Sequence, residues 1–121
     1  MELYWTEKDR AAYFITVDGV LAGFALINAH PECERPLDHA VAEFFVAYPY
    51  RRGGVGSEAM RQIFQRHKGV WHIKYHPANT ASVIFWNGIA RRHAVGPVEK
   101  LRGSEDYYDG TPSEVLVFQN M

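Results

Sequence analysis

The stretch Arg51-Arg52-Gly53-Gly54-Val55-Gly56 decides how the sequence is interpreted, because it joins a predicted strand to a predicted helix. A glycine-rich turn at the start of a helix exposes successive backbone N–H groups at the positive end of the helix dipole, where phosphate can bind. Glycine also lets a pyrophosphate approach the backbone without meeting a Cβ. Arg51 and Arg52 can add charge-assisted contacts. The alternative is a plain strand-to-helix turn with two solvated arginines.

The spacing of these glycines excludes two other phosphate-binding motifs. No Gly-Lys-Ser or Gly-Lys-Thr follows them, so the turn is not a Walker A loop. The Gly-x-Gly-x-x-Gly spacing of a Rossmann fingerprint is also absent.

Outward from the turn, the sequence predicts an α/β (α+β) fold with a mixed sheet of about six strands and two helices, in the order β-β-β-α-β-α-β-β. Apolar residues between Val55 and His67 recur at helical spacing, and Asn79 suits the N-cap of a second helix that extends to about Ala90. Asp18-Gly19 favours a two-residue hairpin, because both residues tolerate positive φ. The central β-α-β unit is expected to be parallel. The predicted strands are 12–17, 20–29, 40–47, 70–76, 97–101 and 114–118.

Two segments resemble the signatures of a known family. Arg51-x-x-Gly54-x-Gly56 matches the Gln/Arg-x-x-Gly-x-Gly/Ala signature of the GNAT superfamily of acyl-CoA-dependent acyltransferases. Further along, Asn79-x-x-Ser82-x-x-Phe85-Trp86 resembles the family's second motif, Asn-x-x-Ala-x-x-Leu-Tyr. The strand Ala42-Glu43-Phe44-Phe45-Val46 resembles the family's fourth strand. The resemblance implies one GNAT-like acetyltransferase domain over residues 1–121.

The resemblance also implies that acetyl-CoA is the cosubstrate. Backbone amides from Arg51 to Gly56 would bind its pyrophosphate. The pantetheine arm would pair with the backbone around Phe44–Val46, where two strands separate, and Asn79 would reach the same arm. The implied cofactor-binding residues are Phe45, Val46, Arg51, Arg52, Gly53, Gly54, Val55, Gly56, Asn79 and Trp86.

Glu43 is the candidate general base. It is the only charged residue of an apolar strand, where desolvation would make its carboxylate a better proton acceptor, although it could instead face solvent or pair with an arginine. Trp86 stands where the family often has a Tyr that protonates the leaving thiolate, and an indole N–H is not an acid near neutral pH. Tyr107, Tyr108 and Tyr75 could substitute, and Tyr108 is assigned the catalytic role.

The N-terminus departs from the family pattern. Family members normally open with a strand and two helices, whereas only eleven residues precede Ala12. The sequence therefore predicts that these elements are lacking, that strand Ala12–Val17 has an unpaired edge and that one sheet face is uncovered. Unpaired edges and exposed apolar faces favour association. We therefore expect a homo-oligomer, a dimer.

Three other groups of residues have weaker functional interpretations. His72, Lys74 and His76 alternate along one strand and share a face. Two His could hold a metal, but no third ligand is evident, so a polar strand face is favoured and no metal is predicted. The segment Glu105-Asp106-Tyr107-Tyr108-Asp109 could attract and cage a cationic amine, or could be a solvated hairpin tip. Cys33 has no motif around it and is interpreted as incidental.

The composition indicates the cellular location of the protein and excludes some classes of binding partner. With 121 residues and 47% hydrophobic content, the chain is one globular domain rather than a disordered segment. The net charge of −1 argues against general nucleic-acid binding and against a polybasic membrane protein. A single cysteine excludes an internal disulfide. The charged first ten residues do not form a signal peptide, so a cytoplasmic location is expected.

These observations predict an N-acetyltransferase that transfers an acetyl group from acetyl-CoA to a primary amine on a small molecule or a peptide. One alternative is a non-catalytic acyl-CoA-binding or regulatory module, which Trp86 and the short N-terminus favour. A second alternative is a phosphate-sugar or nucleotide binder, which would leave the Asn79 motif unexplained.

Overall fold

The fold is a mixed β-sheet with two helices packed on one face. The computed structural model describes residues 2–7, 9–51 and 53–120, and of residues 2–7 it describes the backbone alone. Within these residues the sheet has seven strands in the order β1-β2-β3-β4-β5-β7-β6. The elements are β1 (Glu2–Glu7), β2 (Arg10–Val17), β3 (Val20–Asn28), β4 (His39–Val46), a 3-10 helix (Tyr48–Tyr50), α1 (Val55–Arg66), β5 (Gly69–Tyr75), α2 (Thr80–His93), β6 (Glu99–Asp106) and β7 (Pro112–Asn120).

The predicted mixed sheet and the predicted order from β2 onward are confirmed. The β2–β3 hairpin turns at Asp18 and Gly19, whose φ angles of 51° and 80° are the positive values that this turn requires. β4 and β5 pair in parallel on either side of α1. Asn79 caps α2, because its Oδ1 accepts a hydrogen bond from the backbone N–H of Ser82 at 3.1 Å.

The expectation that the N-terminal strand is lacking is wrong. β1 pairs antiparallel with β2, from Glu2 opposite Phe14 to Glu7 opposite Arg10. The edge of strand Ala12–Val17 is therefore paired within the chain from Ala12 to Phe14, and the expected unpaired edge is wrong for these residues. The aromatic residues between Glu2 and Glu7 favour a strand despite the flanking charges. The two residues between β1 and β2 leave no room for the family's two helices at this point.

The last two strands are longer than predicted. β6 extends to Asp106 and β7 begins at Pro112, so Glu105 and Asp106 belong to a strand rather than to the hairpin tip. β6 is an edge strand with mostly exposed, charged residues. Charges on an edge strand discourage pairing with other chains, and they also obscure the strand in the sequence.

The main core lies between the sheet and the two helices. Met60, Ile63 and Phe64 of α1 and Ile89 of α2 pack against inward side chains of β2, β3, β5 and β7. Burying such side chains contributes about 1.5–3 kcal/mol each, so this layer holds both helices on the sheet. Within the described residues, neither helix is long and apolar enough to cross a membrane.

Within the part of the chain that the structure describes, the opposite side of β2, β3 and β4 carries no helix, and we call it the open face. Strand register places Phe14, Phe24 and Phe45 in one row across it, and Phe14 and Phe45 are 36% and 44% exposed. Leu26 and Glu43 form the neighbouring pair. On the same side of β7, the β3–β4 loop provides cover, because Cys33 is buried against Val115 and Val117. The prediction of an uncovered face is therefore wrong at β7.

Candidate functional site

A cleft forms where β4 and β5 separate. The parallel pairing consists of three residue pairs, from His39–Trp71 to Val41–Ile73. Next on β4, the register with β3 skips Ala42, which forms a β-bulge. A bulge bends its strand and increases the local twist. The C-terminal half of β4 therefore leaves β5, as the sequence predicted.

A cavity of about 360 Å³ occupies this cleft. It lies between the end of β4, the start of α1 and one face of α2. Six of the predicted cofactor-binding residues line it: Phe45, Val46, Arg51, Gly56, Asn79 and Trp86. The other lining residues are Phe44, Ala81, Ser82 and Phe85. The structure thus brings the two sequence motifs together around one cavity.

The start of α1 presents free backbone donors next to this cavity. Gly54 occupies the N-cap with φ +82°, and no side chain caps the helix within the described part of the chain. The first N–H groups of a helix have no intrahelical acceptor, so they remain available to an anion. Gly56 packs closely against Phe85, because a Cβ there would lie 3.2 Å from the ring and the ring would have to shift slightly.

The backbone N–H of Arg51 is not part of this donor set. It donates to the carbonyl of Tyr48 at 3.1 Å and closes the 3-10 turn. The expectation that all amides from Arg51 to Gly56 face a pyrophosphate therefore does not hold for Arg51. Its side chain is fixed instead, because Nε donates to the carbonyl of Val46 at 2.8 Å. Arg52 lies outside the described residues.

The remaining predicted residues of the glycine turn lie beside a different space. Gly53, Gly54 and Val55 line a second cavity of about 250 Å³, which β2 closes with Ile15 and Val17. The turn therefore separates two cavities.

The α2 residues that line the cavity recur at helical spacing. Asn79, Ser82 and Trp86 follow one another by three and four residues, and so share a helix face. Trp86 is 7% exposed, and its ring meets Phe44 edge-on with centroids 5.2 Å apart. Ala81 is a lining residue that the sequence motifs did not mark, whereas Phe44 belongs to the strand segment that was expected to pair with the pantetheine arm. Helical spacing from Ser82 and Phe85 points to Ala81.

Glu43 is exposed rather than enclosed by its apolar strand, so the solvent-facing alternative that the sequence left open is the one observed. The bulge at Ala42 shifts the alternation of β4 by one residue, so Glu43 pairs with Leu26 on the open face. Without the bulge, Glu43 would point towards the helices. The structure places it two residues from Phe45 on the same face, outside the cavity lining.

The structure does not bring Tyr108 to the cleft. Its side chain is fully exposed at the tip of the β6–β7 hairpin. Tyr107 stacks on His76 with ring centroids 4.7 Å apart. Tyr75 is buried, donates a hydrogen bond to Glu114, and accepts one from Asn87 at 3.0 Å. Burial and the Glu114 carboxylate raise the pKa of Tyr75 to about 12, which makes it a poor acid.

His72 on β5 and His76 just after it contact different parts of the molecule. His72 is fully buried, and its Nδ1 accepts the backbone N–H of Glu32 at 3.2 Å, which attaches the β3–β4 loop to the sheet. His76 lies beside Asp109, with Nε2 and Oδ2 2.9 Å apart. Lys74 forms a salt bridge with Glu32. No group of three metal-ligating side chains occurs in the described ranges. These contacts give both histidines a structural role.

One family model matches the chain. It is the model of the acetyltransferase (GNAT) family, and it matches residues 1–88. No curated protein sequence matches at a significant level.

Solved structures resemble the fold at low sequence identity. A protein assigned to the GNAT acetyltransferases of Bacteroides thetaiotaomicron gives a TM-score of 0.59 at 16% identity, over 93% of this chain and 63% of its own. The ribosomal-protein-S18-alanine N-acetyltransferase of Escherichia coli gives 0.63 at 12% identity, over 95% and 71%. A GNAT family acetyltransferase of Elizabethkingia anophelis with acetyl-CoA bound gives 0.60 at 10% identity, over 93% and 77%. The chain thus spans less than two thirds of the Bacteroides protein.

Proposed function

Because this chain belongs to the GNAT acetyltransferase family, we propose that it transfers an acetyl group from acetyl-CoA to a primary amine. The acceptor would be a small molecule or a peptide, and the reaction would take place in the cytoplasm. One observation carries the proposal: the diverging strands β4 and β5 open a cavity of about 360 Å³ beside an uncapped helix start.

The start of α1 is the proposed binding site for the pyrophosphate of acetyl-CoA. Backbone N–H groups from Gly53 to Gly56 would donate to the phosphate oxygens, in the favourable field of the helix N-terminus. Arg51 already lines the cavity, and its anchored guanidinium would add a charge-assisted contact. Arg52 remains a predicted contact.

The cleft is the proposed binding site for the pantetheine arm. Beyond Val41 the β4 backbone has no partner on β5, so its amide groups at Phe44–Val46 can pair with the amides of the arm. Asn79 caps α2 through its oxygen and still has an amide NH₂ for the arm. The Trp86 ring would pack against the arm beside Phe44.

Acetyl transfer would take place at the bulge end of the cleft. Glu43 would accept the ammonium proton, directly or through water, on the open face. The freed amine would attack the thioester carbonyl, and backbone N–H groups of β4 would stabilise the oxyanion that forms. The C–S bond then breaks, the thiolate leaves, and the extra proton on the nitrogen passes through water to the thiolate, which leaves an amide and a thiol. Tyr108 remains a predicted proton donor, and its exposed position does not support that role.

Two measurements test the activity. Calorimetry should show binding of acetyl-CoA, and thiol release should depend on an amine from a panel of small molecules and peptides. Glu43→Gln should lower kcat by about 10²-fold or more, with acetyl-CoA affinity unchanged, because general base catalysis contributes that much. Glu34→Gln removes an exposed loop carboxylate and should leave both quantities unchanged.

The second candidate function is a non-catalytic acyl-CoA-binding or regulatory module. Glu43 lies outside the cavity lining, and no helix among the described residues covers the open face; these two observations favour it. Acetyl-CoA binding without thiol release for any amine of the panel would support this candidate and contradict the transferase.

A further inference from the structure

We infer that the C-terminal ends of α1 and α2 form a binding site for a phosphate group. A cavity of about 220 Å³ lies between these helix ends, at the opposite end of α1 from the glycine turn. Its lining consists of Arg61, Phe64, Gln65, Lys68, His93 and Asn120. The inference does not depend on the proposed acetyl transfer.

Positive charge is concentrated around this cavity, although the whole chain has a net charge of −1. Arg61 and Lys68 line the cavity, and Arg92 is close enough to His93 to repel its charged form. Glu58 is paired with Arg61, with Oε2 2.6 Å from the guanidinium. Among the described residues, neither Lys68 nor Arg92 forms a salt bridge. At least two cations are therefore not neutralised.

Lys68 is not needed to cap α1. The side-chain NH₂ of Asn120 donates to the carbonyls of Phe64 and His67, at 3.1 and 3.2 Å. Cations near a helix C-terminus usually interact with its free carbonyls, and at the end of α1 these two carbonyls already have a donor.

The positive charges around the cavity affect the pKa of His93. Its ring packs on Phe64, with centroids 4.9 Å apart. Burial lowers the pKa of His93, and repulsion from Arg92, Arg61 and Lys68 lowers it further. A bound dianion would offset that repulsion and favour the charged imidazolium. The oxygens of the bound dianion would then accept hydrogen bonds from His93 and Lys68, while the Phe64 ring would shield one side of the site.

A phosphate group suits this donor set better than an apolar ligand. Asn120 is 2% exposed and already uses both side-chain atoms, since Oδ1 accepts hydrogen bonds from Gly69 and Trp71. The lining groups that remain for a ligand are Lys68, the His93 imidazole and the Gln65 amide, since Arg61 is paired with Glu58. All of them can donate hydrogen bonds to oxygens that carry negative charge.

NMR of the His93 ring tests the site. Inorganic phosphate, added at constant ionic strength against chloride, should raise the pH at which His93 titrates. Lys68→Gln should weaken phosphate binding by about tenfold, the effect of losing one charge-assisted contact. Lys100→Gln removes an exposed charge on β6 and should leave phosphate binding unchanged.

A second arm distinguishes the sources of the phosphate group. Tighter binding of glycerol phosphate than of inorganic phosphate identifies a phosphorylated metabolite as the ligand class, and the reverse order identifies free phosphate. An unchanged His93 titration in phosphate would overturn the inference, as would an equal loss of affinity in Lys68→Gln and Lys100→Gln. Acetyl-CoA affinity should be the same in Lys68→Gln as in the wild type.

Discussion

Single residues decide how the cleft is used. Ala42 contributes only a methyl group, yet its bulge determines which face Glu43 occupies. No pattern in an apolar strand identifies a bulged alanine, so the sequence predicted Glu43 as a strand residue and left open whether its side chain is desolvated or faces solvent. The glycine turn was predictable because its backbone requirements are local. Tyr108 was not, because its distance from the cleft depends on tertiary structure.

Gly54 provides a residue-scale prediction. Gly54→Val forces a β-branched residue into a positive φ of 82°, although the space around the position is open. We expect a loss of stability of about 1–3 kcal/mol and loss of acetyl-CoA binding, because the start of α1 must rearrange.

Gly96→Val is the matched control for Gly54→Val. Gly96 also has a positive φ, 91°, and no atom within contact distance, but it lies between α2 and β6. The Gly96→Val variant should lose about as much stability as Gly54→Val, and calorimetry should show that it still binds acetyl-CoA. If both variants bind equally well, the glycine turn is not the binding site.

Secondary-structure elements were predictable where their pattern was simple. The spacing from Val55 and the Asn79 cap defined both helices, although α2 extends to His93. β1 was missed because its six residues begin and end with Glu, and β6 was cut short because its second half is charged. In both strands, pairing with a neighbour outweighs the local composition.

Asn79 provides an element-scale prediction, because it has a capping role and a proposed binding role. Asn79→Ala should lower stability by about 1 kcal/mol through loss of the cap. Asn79→Asp keeps a capping oxygen and adds a charge that suits a helix N-terminus, so it should keep its stability. Both variants lack the amide NH₂, and both should bind acetyl-CoA several-fold more weakly. Normal affinity in Asn79→Asp would limit Asn79 to capping.

At the scale of the whole molecule, stability should fall in mild acid. Burial lowers the pKa of His67, His72 and His93 below the ordinary value of 6.5. The unfolded chain then binds more protons than the folded one, so these groups lose their contribution as pH falls through about 6.5. Urea unfolding should give a lower free energy of unfolding at about pH 5.5 than at about pH 7.5.

His72 should account for part of this pH dependence. His72→Asn offers an oxygen to the Glu32 N–H in place of Nδ1 and removes the titrating ring. Its stability should depend less on pH than that of the wild type. His30→Asn replaces an exposed histidine and should keep the wild-type dependence. Parallel curves for all three proteins would contradict the prediction.

Self-association is also a prediction for the whole molecule, and it now rests on the open face alone. Phe14, Phe45 and Leu21 are 36%, 44% and 60% exposed on adjoining strands, and a second copy of the chain would cover them. Light scattering should show a mass above 13.8 kDa. Leu21→Asp should restore the monomer. Ile84→Asp changes an exposed residue of α2, away from the open face, and should leave the association unchanged. A monomeric wild type at high concentration would contradict this.

Three residue pairs join β4 to β5, and this short ladder lies between two ribbons of the sheet, β1–β4 and β5–β7–β6. Each ribbon is held by longer antiparallel ladders, with seven residue pairs between β5 and β7. Local opening begins where the fewest interactions must break, so amide hydrogen exchange should be fastest along this short ladder. A molecule lying in the cleft and hydrogen-bonded to β4 would act as an additional strand segment there. Binding would then slow exchange across the junction and stiffen the sheet as a mechanical unit.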